Sequence, residues 1–156
     1  MQLSIAPADI RFKISPHDDL RAIEGGNWDR ERRYPLAEAV KHRSIAQRYG
    51  SGVPWAETEL FAVYGRRLAA GERVRGVATM GELIDQYLTR VDALFGDLSK
   101  RGFRADAGPL PVILIGRDGE SFIGNQGNHR LAMAQVLGLP QIAGRVVCRH
   151  AEAPSA

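Results

Sequence analysis

Apolar residues recur with two different periods along this chain, and the change of period divides it. Near the start, Ile10-Arg11-Phe12-Lys13-Ile14 alternates apolar and polar positions, the mark of a half-buried strand. Gln2-Leu3-Ser4-Ile5 reads as another short strand, separated from it by Pro7. Residues 15–35, rich in Gly, Asp and Arg, read as loop. From Pro35 the period lengthens to that of a helix. A first helix runs from Pro35, suited to the first helical position, to Gly50, with Leu36, Val40, Ile45 and Tyr49 inward. A second spans Pro54 to Ala70 on a stripe of Leu60, Phe61, Tyr64 and Leu68, closed by Gly71; Trp55 and Thr58 serve as core and capping residues. The third opens on a Thr79-Met80-Gly81-Glu82 capping box. It buries Ile84, Tyr87, Leu88, Val91, Leu94, Phe95 and Leu98 through about Lys100. These stripes predict core rather than cofactor boxes.

After a loop from Gly102 to Pro111 the pattern tightens again. Val112-Ile113-Leu114-Ile115-Gly116, the turn Arg117-Asp118-Gly119 and Ser121-Phe122-Ile123 predict a hairpin. A glycine turn, Gly124-Asn125-Gln126-Gly127, leads into a helix carrying Leu131, Met133, Ala134 and Leu137 and ending at Gly138. Here Asn128 is predicted as N-cap, with His129 and Arg130 in the first turn. Ile142 to Cys148 is the final strand, and Ala151 to Ala156 reads as a frayed tail. The fold class is α+β: one domain over 1–150, with a helical middle between an early strand and a C-terminal β-β-α-β unit.

Composition changes this picture little. With 156 residues, 44% hydrophobic and 25% charged, the chain matches an ordinary globular domain. No apolar run approaches a membrane span, no leader pattern opens the chain, and a cytoplasmic location is the default expectation. Cys148, the single cysteine, excludes an internal disulfide. The net charge of +3 is unevenly placed: residues 30–75 hold ten Lys/Arg against five Asp/Glu. That segment suits polyphosphate or nucleic acid, or simply a solvated helical surface.

Candidate chemistry gathers at the glycine turn. A helix N-terminus offers free N–H groups and partial positive charge, a site for phosphate. Gly127 permits close backbone approach or supplies a positive φ. His129 suits a phosphate hydrogen bond or proton transfer, or a structural role. Arg130 suits a bidentate phosphate contact, or points into water or at an acid. Asn125 and Gln126 read a base or sugar, or merely make the turn. For a general base or Mg²⁺ ligand the early loop offers Asp29, beside Trp28, and Glu24, with capping or salt-bridging as the alternative. His17-Asp18-Asp19 reads as a loop cap. Arg149 and His150 flank a pocket or are solvated. No cluster spaced for a protein metal site is present in the sequence.

Val112 to Val147, with its Asp-Gly hairpin, Gly-x-His-Arg turn, helix, Leu-Gly-Leu-Pro and closing strand, resembles the ParB/sulfiredoxin superfamily. Residues Leu3 to Ile14 are similar to that fold's first strand. Gly26-Asn27-Trp28-Asp29 and Trp55-Ala56-Glu57-Thr58 look like a ParB-like group labelled as nucleases. The resemblance implies a nucleotide-phosphate site at Gly127, Asn128, His129 and Arg130, with Mg²⁺ and ATP or another NTP. Sulfiredoxins carry a catalytic Cys where Asn128 stands, so sulfinic acid reduction is not expected. Partition proteins carry Gly-Glu-Arg-Arg and a following DNA-reading domain, so partition is not expected either. Three readings follow. One is Mg²⁺-dependent NTP hydrolysis or phosphoryl transfer to a small hydroxylated substrate; another is a nucleic-acid-binding protein or nuclease; the third is a non-catalytic nucleotide-sensing module. No membrane partner is expected.

Overall fold

Val112–Ile115 (β5) is apolar on both faces because both faces are covered. In the computed structural model, which describes residues 1–155, this strand lies at the middle of one mixed sheet. Its neighbours are β6 (Ser121–Ile123), which closes the predicted hairpin, and β7 (Ile142–His150), which runs parallel to it. β1 (Gln2–Ile5) pairs antiparallel with the start of β7, and β2 (Phe12–Ile14) lies parallel to β6. The full order is β1-β7-β5-β6-β2-β4, where β4 is Arg33–Pro35; β3 (Ile23–Glu24) pairs with the far end of β7. The protein is thus α+β with a mixed sheet.

Successive side chains of β5 point to opposite faces and feed different cores. Ile113 and Ile115 pack with Leu131, Ala134 and Ile142, while Val112 and Leu114 pack with Ile14, Trp28, Phe122 and Cys148. The first face is covered by α6 (Asn128–Leu137), whose opposite side carries Ala132 and Met133 into a third core built by the middle helices. α6 is therefore buried on two sides, between the sheet and the helical layer. That layer comprises α2 (Val40–Ile45), α3 (Glu59–Ala69), α4 (Met80–Gln86) and α5 (Asp92–Arg101) around Trp55, Phe61, Tyr64 and Tyr87. No helix among the described residues is long and apolar enough to cross a membrane.

Several boundaries differ from the sequence reading. Residues 15–35 are not all loop: they contain β3, a one-turn helix α1 (Trp28–Glu31) and β4. Pro35 belongs to β4 rather than opening a helix. A 3₁₀ turn over Leu36–Glu38 intervenes before α2, which continues as a π turn over Ala46–Gly50. The second helix starts late, at Glu59, where the Thr58 hydroxyl accepts from the Phe61 N–H. Thr79 does cap α4, accepting from the Glu82 N–H. A π turn over Tyr87–Val91 follows; Leu83, Tyr87 and Val91 are buried, and Leu88, expected inward, is exposed. β7 extends two residues beyond Cys148. The tail does not fray directly after it: the Ala151 N–H donates to the Glu24 carbonyl and Ala153 packs against the core. Ala156 lies outside the described residues.

Candidate functional site

The glycine turn that follows β6 is held from both sides. The Gly124 N–H donates to the Val112 carbonyl, and the Asn125 N–H donates to Nε2 of His17. His17, read as a loop cap, is therefore a support of this turn. Gly127 sits at φ +88, and a Cβ there would lie 2.4 Å from Cα of Pro111. The space beside Gly127 is taken by backbone, so its lack of a side chain serves the turn and not a ligand.

Asn128 is not the N-cap. Gly127, in the left-handed region, takes that place, and no side chain caps the helix. The Asn128 carboxamide is used sideways instead. Its Nδ2 donates to the Gly124 carbonyl at 3.0 Å, which leaves Oδ1 facing Nε2 of His42 at 3.0 Å. His42 must then carry its proton on Nε2, and burial holds its pKa below the ordinary value despite the bond it donates to Asn128. The first helical bond runs from the Leu131 N–H to the Gly127 carbonyl. The N–H groups of Asn128, His129 and Arg130 consequently precede the ladder and are free for an acceptor.

A pocket of about 290 Å³ opens at this helix start, lined by Lys41, Leu94, Pro109 and residues 125–130. No Asp or Glu lines it. Lys41 comes from α2, and burial first, then the charges of Arg75 and Lys13, lower its pKa. His129 is pushed down to about 3 by burial and by Lys41, Arg75 and His42, so its ring is neutral at pH 7. Its Nε2 is buried with no partner. Lys13, Lys41, Arg75 and Arg130 form no ion pair among the described residues. Lys41 and Arg130 thus line a bare helix N-terminus without a carboxylate in the pocket, and the charges of Arg75 and Lys13 reach Lys41. Asn125 and Gln126 are exposed at the rim.

Arg130 does not have the free fork that the sequence suggested. Its guanidinium donates to the Pro109 carbonyl at 3.0 Å and the Arg104 carbonyl at 2.6 Å, and stacks 3.9 Å above the Phe103 ring. It fastens the 102–111 loop, and Nε is its one buried donor without a partner. Burial lowers its pKa, against a partial counter-effect from Asp97, which itself pairs with Arg104. What Arg130 brings to the pocket is charge and its backbone N–H.

The two carboxylates of the early loop are elsewhere. Asp29 is 0% exposed and binds the tip of the hairpin: its oxygens accept from the Arg117 backbone N–H at 2.9 Å and from Nε and Nη2. Burial would raise its pKa, but these bonds bring it down to about 2. Glu24 pairs with Arg21, and its strand lies beside Arg149 and His150. Nε2 of His150 donates to the Gly26 carbonyl, 2.8 Å away, and closes the same end of the sheet. The hairpin tip and the α6 start lie at opposite ends of β5 and β6, so neither carboxylate reaches the pocket.

Half of the basic residues of segment 30–75 are engaged: Arg32, Arg33, Arg43, Arg48 and Arg67 pair with Asp19, Glu120, Glu59, Asp92 and Glu72. Among the described residues no group of three or more His, Cys, Asp or Glu is placed to hold a metal ion. The contribution of Lys41 to the pocket was hidden in that basic segment; its neighbours on a solvated face carry the same charge without the same surroundings. Comparison with family models, curated proteins and solved structures finds no match.

Proposed function

We propose that this chain is a nucleotide-phosphate-binding domain of ParB/sulfiredoxin type that acts as a binding or sensing module. The phosphate sits at the start of α6, on the free N–H groups of Asn128 to Arg130, with Lys41 as its facing cation. The observation that carries the reading is the convergence of unpaired positive charge on an uncapped helix N-terminus in a pocket without a carboxylate. An anion there relieves the repulsion between Lys41 and Arg75 and occupies donors that otherwise lack acceptors. About 290 Å³ suits phosphate groups, with the nucleoside lying across exposed Asn125 and Gln126.

The Mg²⁺-dependent phosphotransfer reading fits the residues less well. Mg²⁺ is usually held by one or two carboxylates together with phosphates, and none lines this pocket. Asp29 and Glu24 are committed at the other end of the sheet, and a histidine titrating near 3 is a weak base at neutral pH. A nuclease lacks converging carboxylates for the same reason.

Isothermal titration with ATP, ADP, CTP and GTP, with and without Mg²⁺, tests this. At least one nucleotide is expected to bind without Mg²⁺, Lys41→Ala to weaken it, and no phosphate to be released on incubation. Absence of binding by every nucleotide, or affinity indifferent to Lys41→Ala, rejects the proposal.

A further inference from the structure

Arg75 is the only residue other than glycine at positive φ among the described residues, at φ +51. It occupies a tight turn in which Val74 and Val77 exchange both backbone hydrogen bonds at 3.0 Å, with Gly76 following at φ +81. Two consecutive positive φ values make this the turn that ordinarily takes Asn-Gly, since a side chain with a bulky Cβ substituent is disfavoured there. Buried Val74 anchors the turn. Arginine is not the residue that local geometry selects, and such departures concentrate at functional positions.

The side chain is also aimed. Gln86 grips it from both ends, with Nε2 donating to the Arg75 carbonyl at 3.2 Å and Oε1 accepting from Arg75 Nε at 3.0 Å. That grip lays the guanidinium 5.2 Å over the Tyr87 ring, whose edge meets the His129 ring at 6.1 Å between centroids. No carboxylate pairs with Arg75, yet its charge acts on both Lys41 and His129. Its outer nitrogens, on an exposed side chain, approach the Tyr87 hydroxyl and meet no carboxylate.

We infer that Arg75 is a ligand-binding residue of the α6 anion site, contacting phosphate beyond the one seated on the helix, so that the site selects ligands with two or more phosphates. This rests on the phosphate-binding reading above. A monophosphate on the N–H groups of Asn128 to Arg130 occupies a pocket that Arg75 does not itself line. On this inference, phosphates extending beyond the pocket are the ones that meet the guanidinium.

The experiment is titration of AMP, ADP and ATP into the native chain, Arg75→Asn and Arg75→Gln. Asparagine keeps the turn, and glutamine keeps an uncharged stem. Both variants are expected to lose about tenfold or more in ATP and ADP affinity and less than about threefold for AMP. Unchanged ATP affinity, or an equal loss for AMP and ATP, overturns the role of Arg75 while leaving the phosphate site standing. A native chain that binds none of the three removes the phosphate site and this inference together.

Discussion

Replacing Asp29 with alanine separates a structural carboxylate from a reactive one. Asp29 is fully buried, and both of its oxygens are used on Arg117, including the backbone N–H at the tip of the hairpin. The variant strands that N–H and breaks a pair whose arginine is itself only 15% exposed. Breaking a buried pair costs about 3–5 kcal/mol. Arg117 retains the Gly26 carbonyl and Asn27 Oδ1, which places the loss at the lower end. About 3 kcal/mol in a chain of this size lowers the melting temperature by about 6–12 °C. The acid dependence gives a second measure. Asp29 ionises near 2 in the fold against 3.8 ordinarily. A depressed pKa stabilises the fold above the unfolded value and loses that stabilisation as pH falls through the folded one. Calorimetry from pH 7 to pH 2 should therefore show the gap between native and variant holding above about pH 5 and shrinking below pH 4. Nucleotide affinity should not change. A variant that melts with the native chain but loses nucleotide binding or turnover would refute this assignment and return Asp29 to the site.

Two further substitutions probe the frame around the pocket. Gly127→Ala meets both the positive φ and the Pro111 backbone, and should cost about 3 kcal/mol or more, read as a fall in melting temperature or loss of soluble protein. Asp92→Ala deprives Arg48 Nη2, the Tyr49 hydroxyl and Trp55 Nε1 of their common acceptor, at 2.7, 2.7 and 3.0 Å. A loss of about 2–4 kcal/mol is expected in chemical denaturation, and a loss below about 0.5 kcal/mol would show these bonds to be dispensable.

Periodicity revealed the elements whose faces are continuous. The hairpin, the closing strand and the stripes through Phe61 and Tyr64 are where the sequence placed them, because one residue period governs each. It failed where tertiary contacts choose the conformation. The helix of Trp28–Glu31 exists because Trp28 fills the core beneath the sheet and Asp29 reaches Arg117, a partner 88 residues away that no local pattern encodes. Leu88 was assigned inward because a π turn leaves no signature in hydrophobic spacing. At the candidate site, the turn itself was legible from Gly124 and Gly127. The duties of its side chains were not: Arg130 is diverted by carbonyls in the 102–111 loop and Asn128 by His42, both brought near only by folding. Lys41, Arg75 and His17 complete the surroundings from distant segments.

The two π turns, Ala46–Gly50 and Tyr87–Val91, end on one knot, since Tyr49 and Arg48 of the first bind Asp92 at the end of the second. A π turn holds one residue more than the helix around it, and each residue turns a helix by about 100°. Everything in α5 is therefore indexed by a single added residue. Leu94 faces the pocket and Asp97 meets Arg104 at that setting alone. Chain length, rather than the identity of any side chain, is then a control on the pocket wall: one residue gained or lost between 87 and 91 presents a different face of α5 to the pocket. Diversification of such a domain has a route through insertion and deletion that leaves every residue at the start of α6 untouched.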